Sequence, residues 1–375
     1  MSDEPVAVPE ELPAITPAAD GAAAVPAPAP VEPIRPAVAA DEEGIAQAAQ
    51  VLLQGGVLAF PTETVYGLGA DAGNEAAVAR IFKIKKRPQN HPLIVHIPDT
   101  SHLDRWAVEI PDTARRLATR YWPGPLTLVL RRAGGVSDTL TGGQDTIALR
   151  VAAHPVAEAL LKAMSEGDDG ARRIGIAAPS ANRFGRISPT SAEHVRLDLG
   201  NDADMVLDGG PCDVGIESTI IDFSRDEPVI LRPGRIGAAD VAAVIGIEPQ
   251  GTDAADATAP RVSGSLEAHY APRAKLRLLK RTGIIDALTA HKGQRIAVLA
   301  LEVNVPRLPP ALVVVMPAVA AKYAQALYAN LRALDAAGAD IILVEAPPAS
   351  PAWAGVHDRL SRAAAAHPNK PAKKG

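Results

Sequence analysis

Cysteine is nearly absent: Cys212 alone stands in 375 residues. That excludes an intramolecular disulfide framework and any zinc site built on several thiolates. It comes after Pro211 in a Gly-rich turn and reads as an inert small residue. Aromatics make up only 3%, so the core must be mostly Ala, Val, Leu and Ile, and base-stacking platforms are scarce. No apolar run approaches the ~18–20 residues of a membrane span. The N-terminus opens acidic, with no compact apolar h-region, so neither a secretory leader nor a membrane association is expected and the cytoplasm is the default compartment. The common nucleotide signatures are missing too. There is no GxxxxGK[ST], Gly67-x-Gly69-x-x-x-Gly73 has the wrong spacing for a dinucleotide fingerprint, and no Gly-x-Ser-x-Gly elbow occurs. No His/Asp/Glu set has metal-ligand spacing, so no protein-built metal site is expected. P-loop, dehydrogenase and protease readings are therefore disfavoured.

An excess of charge is also lacking where a nucleic-acid binder would need it. The net charge is −5, and residues 1–40 carry all of it, with six acids and one base. The remainder balances 37 acids against 37 bases, which argues against a broad basic face. Residues 1–40 are rich in Pro and Ala without aliphatic periodicity, and a disordered extension is expected there. Order is expected from near Asp41.

From Asp41 onward the chain is dense in short apolar runs. Residues 42–54 read as a helix closed by Gly55-Gly56. Strands are expected at 57–60, 93–97, 126–130, 146–151, 174–178, 205–207, 218–223 and 229–232. Helices are expected from an Asn74 cap to the Lys85 region, over 111–121, 155–164, from Ser188-Pro189-Thr190 onward, and over 238–245. This alternation predicts an α/β catalytic unit over 41–246 with a twisted mixed sheet. Residues 247–274 read as a long linker whose end, Ser263-Gly-Ser-Leu-Glu-Ala-His-Tyr-Ala-Pro272, is too specific for a plain spacer. Residues 275–368 alternate cleanly into a small doubly wound, Rossmann-like domain, and 369–375 should fray.

The most informative stretch is 60–97. A strand runs into Pro61, then come Thr62, Thr64, Gly67 and Gly69, then a helix ends in Lys83, Lys85, Lys86 and Arg87 before Pro88 stops it. A second strand ends near His96. Hydroxyls, a flexible Gly-bearing turn and clustered cations between buried strands suit a polyanion, although a solvated helix end beside an ordinary turn would show the same charges. Further polar residues recur at strand ends: Tyr66, Thr146, Arg150, Ser180, Asn182, Ser188, Thr190, Ser218 and Arg232. Singly, each has an ordinary role as cap, ion-pair partner or satisfied core residue. Together they sit where α/β sheets bind ligands.

The motifs Phe60-Pro-Thr-Glu-Thr-Val-Tyr-Gly-Leu-Gly69, Lys83-x-Lys-x-Arg-Pro88, Trp122-Pro-Gly-Pro-Leu-Thr127, Ala178-Pro-Ser-Ala-Asn182, Ser188-Pro-Thr190, Gly215-Ile-Glu-Ser-Thr219 and Leu231-Arg-Pro-Gly234 resemble the YrdC-like family. With the His269-Tyr270 linker and trailing domain, the chain is similar over 41–366 to two-domain L-threonylcarbamoyladenylate synthases. The resemblance implies a nucleotidyltransferase that makes threonylcarbamoyl-AMP and pyrophosphate from L-threonine, bicarbonate or CO2, and ATP. The product would serve N6-threonylcarbamoyladenosine modification of ANN-decoding tRNAs through a separate transferase, with tRNA binding weak or indirect. It implies Lys85 and Arg87 as catalytic phosphate contacts. Arg87, His91, Thr146, Asn182, Ser188, Thr190, Arg232 and Tyr270 fall on the ATP side, with Tyr270 closing over it. Thr64, His96, Arg150, Ser180 and Ser218 fall on the threonine side, Arg150 being the choice for the carboxylate. Mg2+ is expected to be held mainly by ATP phosphates. The chain departs from the family pattern at His91, where Asn is usual, at Gly142-Gly143, at Phe184 and in a long 165–173 loop. An RNA-binding protein and a related carbamoyl transferase are the competing readings. Neutral charge weighs against the first, and the trailing domain and linker against the second.

Overall fold

The strands gather into two separate sheets in the computed structural model, which describes residues 32–254, 258–302 and 312–367. Among the described residues the larger sheet has eleven strands. Its order is Val38–Ala39, Met205–Asp208, Leu58–Phe60, Gly67–Asp71, Ile176–Ala177, Ile94–His96, Thr146–Arg150, Leu126–Arg132, Thr219–Asp222 and Val229–Arg232, with Ala107–Val108 beside Leu126–Arg132. Directions are mixed: Ile94–His96 runs parallel to Thr146–Arg150, while Leu126–Arg132 runs antiparallel to it. Helices cover both faces. Ala48 and Leu52 of Glu42–Leu53, with Leu160 of Pro155–Ser165, pack on Leu58, Phe60 and Ile176. Helices Glu75–Lys85, Asp112–Tyr121 and Ala238–Ile245 cover the other face through Ile81, Leu117 and Val241.

The smaller sheet is wholly parallel, in the order Lys275–Leu279, Ile341–Glu345, Ile296–Ala300, Leu312–Val315. Successive side chains alternate between faces. Leu276, Leu299, Ile342 and Val344 meet helices Ala320–Ala336 and Ala354–Ala365, and Val298, Ile341 and Leu343 meet Arg281–Ala290. A large twisted mixed sheet plus a small doubly wound parallel one is the α/β arrangement the sequence predicts.

Three local expectations are corrected. Order begins before Asp41: Val38–Ala39 pairs with Met205–Asp208, and the Arg35 guanidinium donates to the carbonyls of Asn201, Ala203 and Asp204. The disorder expected for 1–31 and the fraying expected for 369–375 lie outside the described residues. Residues 67–71 form a strand, not a flexible turn. The helix after Ser188-Pro-Thr190 starts only at Ala192, capped by Ser191. The Pro189 carbonyl accepts from Tyr66 and the Thr190 carbonyl from Cys212, which holds that segment extended.

Candidate active site

The helix Glu75–Lys85 delivers the first cation. Asn74 caps it by accepting from the Ala77 amide. Its buried positions are Ala77, Val78, Ile81, Phe82 and Lys85, one stripe at helical spacing. Lys85 thus continues the apolar face and carries its ammonium inside. Lys86 then turns left-handed at φ 55°, and Arg87 comes back inward. The four-cation cluster therefore divides: Lys85 and Arg87 are buried, Lys83 and Lys86 exposed. The Lys85 Nζ donates to the carbonyls of Ser180 and Asn182. The Arg87 guanidinium donates to the Pro92 carbonyl at 2.9 Å and to Ser263 Oγ at 3.1 Å.

These groups open on one cavity. Thr64, Lys85, Arg87, His96, Arg150, Ser180, Asn182, Arg232 and Tyr270 all line it. The sheet makes this convergence, since His96 and Arg150 are register partners at the ends of neighbouring parallel strands. Arg232 ends its strand at the same rim, its Nε and Nη2 donating to the Ser218 carbonyl and hydroxyl.

Five residues singled out with them stand elsewhere. Ser188 Oγ donates to Glu217 behind the wall. Ser218 Oγ lies 2.7 Å from Thr127 Oγ1 and supports Arg232. Thr190 Oγ1 meets His194. The His91 ring packs edge-on against Phe184. Thr146, at the far end of the Arg150 strand, lines a separate cleft with Arg131, Gln144, Arg225 and Arg261.

Two carboxylates were not singled out by sequence reasoning: Glu217, which lines the cavity, and Glu63, which pairs with the lining residue Arg150. Glu63 Oε1 lies 2.7 Å from Arg150 Nη2, with both side chains buried, so Arg150 already has a counter-charge. Glu217 accepts from Ser188, Tyr328 and Arg359. Both acids stand inside recognisable motifs, but a cation-rich ligand site gives no reason to look for acids. Ser263, Gly264 and His269 of the linker also line the cavity. Gly264 has φ +83°, and a Cβ there would stand 2.0 Å from Tyr270 Oη, so only glycine fits this turn.

The electrostatics describe a site short of negative charge. Burial, with Arg87 adding to it, pulls Lys85 well below its ordinary value. Burial lowers Arg87 to about 10 and lowers Arg232 as well. The His96 imidazole is held far down by burial and by Arg150. His96 Nδ1, Asn182 Oδ1 and His269 Nδ1 are buried without a hydrogen-bond partner among the described residues. Unsatisfied buried polar atoms cost about 1–3 kcal/mol each, and here they cluster on one cavity. Such a wall suits an anion with several polar groups.

Comparison with known proteins gives the wall a context. A family model described as Telomere recombination, covering Sua5, YciO and YrdC, matches residues 50–234. A second, described as Threonylcarbamoyl-AMP synthase, C-terminal domain, matches 236–365. The Pyrococcus abyssi threonylcarbamoyl-AMP synthase is 39% identical over 336 residues, covering 86% of this chain and 94% of that protein. Its Bacillus subtilis counterpart is 38% identical, covering 85% and 92%. A crystal structure of P. abyssi Sua5 complexed with L-threonine superposes with a TM-score of 0.79 at 37% identity, covering 87% of this chain and 96% of that one. The chain belongs to the threonylcarbamoyl-AMP synthase family and is an enzyme of nucleotidyltransferase type.

Proposed function

We propose that the cavity joins L-threonine, bicarbonate or CO2, and ATP into L-threonylcarbamoyl-AMP, releasing pyrophosphate. The observation that carries this reading is the convergence of Lys85, Arg87, Arg150 and Arg232 on one buried cavity with short polar groups between them. A triphosphate brings about four negative charges, and Arg forks suit it bidentately. Lys85, Arg87, Asn182, Arg232 and Tyr270 take the nucleotide side in this reading, and Thr64, His96, Arg150 and Ser180 the threonine side. His91, Thr146, Ser188 and Thr190 join the nucleotide side, and Ser218 the threonine side, only through the family resemblance or through the residues they support. The complex of a family member with L-threonine supports a threonine site in the same fold.

Little acid–base machinery is required. Threonine's neutral amine adds to CO2 and releases one N–H proton to water, leaving an anionic carbamate. A carbamate oxygen attacks the α-phosphorus, the bond to the β-phosphate oxygen breaks, and pyrophosphate departs with that electron pair. Lys85 and Arg87 hold charge on the triphosphate, so the chain acts mainly by positioning and charge stabilisation. Neutral His96, kept unprotonated by burial, offers a nitrogen to threonine. Mg2+ in this reading would be held by ATP phosphate oxygens and water and would supply charge shielding there. Among the described residues no three His, Cys, Asp or Glu side chains gather to cage an ion, and Glu63 and Glu217 are each committed to an arginine.

The linker closes the site. The Ser263 carbonyl accepts from Arg232 at 2.8 Å, and Tyr270 is 2% exposed. A cover that excludes water would protect the labile mixed anhydride. The product then passes to a separate transferase acting on ANN-decoding tRNAs, and the cytoplasm is the compartment that supplies ATP and tRNA together. No helix among the described residues is long and apolar enough to cross a membrane. The test is pyrophosphate release with ATP, Mg2+, bicarbonate and threonine. Release that depends on threonine is expected; release without it, or none, contradicts the reading.

A further inference from the structure

The buried Glu217 sits in the cavity wall, where an incoming triphosphate would meet its negative charge. Arg232 on the larger sheet offsets part of that charge without a direct ion pair. The ion pair itself comes from Arg359, on helix Ala354–Ala365 of the smaller unit, whose Nε donates to Glu217 Oε2 at 2.7 Å. The Arg359 side chain is fully buried. Its Nη1 donates to the Pro233 carbonyl at 2.8 Å and its Nη2 to the Glu217 carbonyl at 3.2 Å. One guanidinium therefore ties together the segments that carry Ser218 and Arg232. Asp358 offsets part of its charge from the outer side.

The same guanidinium lies 5.3 Å from the centroid of the Tyr270 ring. Tyr328, on helix Ala320–Ala336, stacks on that ring with centroids 5.9 Å apart at 29°, and its hydroxyl donates to Glu217 Oε2 at 3.0 Å. Tyr270 has a left-handed backbone at φ 59°, unusual for a non-glycine residue. Arg359 and Tyr328 are thus two side chains that hold both Glu217 and the linker tyrosine.

We infer that Arg359 and Tyr328 are positioning residues of the ATP site: Arg359 cancels the Glu217 charge that would repel the triphosphate, and the pair clamps Tyr270 over it. Through them the smaller domain completes the site electrostatically without lining it. The inference rests on the ATP–threonine reading above. A bare buried carboxylate facing a polyanion is costly, whereas removing both members of a buried ion pair is often close to neutral. The two cases separate a charge role from a packing role.

The test uses the full chain, with KM for ATP and for threonine measured by pyrophosphate release. Threonine-dependent release by the unaltered chain is read first; without it the reading of the site falls, not merely this inference. R359Q is expected to raise the ATP KM about tenfold or more, with the threonine KM changed much less. R359K, which keeps the charge and loses the fork, is expected to raise it less than R359Q. In the R359Q/E217Q double variant the ATP KM is expected to return toward that of the unaltered chain. An ATP KM in the double variant no better than in R359Q overturns the inference, as does a parallel rise of both KM values. If circular dichroism shows R359Q unfolded, Y328F decides: a raised ATP KM with the threonine KM unmoved supports the inference, and an unmoved ATP KM overturns it.

Discussion

At the scale of single residues, Lys85 shows how a helix pattern becomes chemistry. A lysine at the next position of an apolar stripe has to enter the protein, and there its ammonium is desolvated and waits for an anion. The apolar spacing of the helix puts Lys85 on its inward stripe, and the sequence also marks Arg87 as a helix-end cation and Arg150 and Arg232 as strand-end cations. Glu63 and Glu217 were not legible, because a carboxylate belongs in a cationic site only through its particular ion pair, which is a tertiary fact. Lys85→Ala or Arg87→Ala is expected to lower pyrophosphate release about a hundredfold or more, as loss of a preorganised charge contact does, with the fold retained by circular dichroism. A second prediction concerns acid. Burial depresses His96 far below its ordinary value and His269 to about 3. In the unfolded chain both protonate near 6.5, so the unfolded state binds more protons below that pH. Their stabilising contribution is complete above about pH 6.5 and is lost as the pH falls toward 3. Glu217 is opposed by burial but held at about 2 by Arg359 and Arg232, and it adds a second loss between its ordinary 4.5 and 2. Melting temperatures measured from pH 7 down to pH 4 should fall steadily below 6.5; a rise on acidification contradicts the assignment.

Elements were legible where periodicity was strong. The helices Glu42–Leu53, Asp112–Tyr121, Pro155–Ser165 and Ala238–Ile245 and the strands of the smaller sheet lie where apolar spacing and caps put them. Gly67–Asp71 was not legible, because two glycines read as flexibility. The structure gives Gly69 the opposite task. A Cβ there would stand 2.6 Å from Ile176 Cγ2 and 2.7 Å from Phe60 Cε1, so the glycine lets three strands pack tightly beside the cavity. Gly69→Ala should therefore destabilise by about 1–3 kcal/mol through overpacking, despite alanine's lower backbone entropy cost. A chemical denaturation curve with an unchanged or higher midpoint would show that the space can open. The segment 188–190 failed for a related reason: Ser-Pro-Thr is a good helix start by composition, but its carbonyls are taken by Tyr66 and Cys212.

At the scale of the whole molecule, the larger sheet and the linker residues Ser263, Gly264, His269 and Tyr270 line one cavity, and Arg359 and Tyr328 of the smaller domain touch Tyr270 and Glu217 there. The sequence indicates the two α/β units and the unusual character of Ser263–Pro272, but not that Arg359 and Tyr328 reach back to the cavity wall, since partners more than a hundred residues apart leave no local trace. Deleting residues 260–375 should therefore abolish or strongly reduce synthesis and shorten the lifetime of any product; an unchanged rate and lifetime would remove the linker from the mechanism. The central claim is that one cavity joins threonine, a one-carbon unit and AMP. Its most direct test is mass spectrometry of the product formed from ATP, L-threonine and carbon-13 bicarbonate. The account predicts a single adduct containing AMP, threonine and the labelled carbon, formed in step with pyrophosphate. AMP joined to threonine without the label, or pyrophosphate formed with no such adduct, would contradict it.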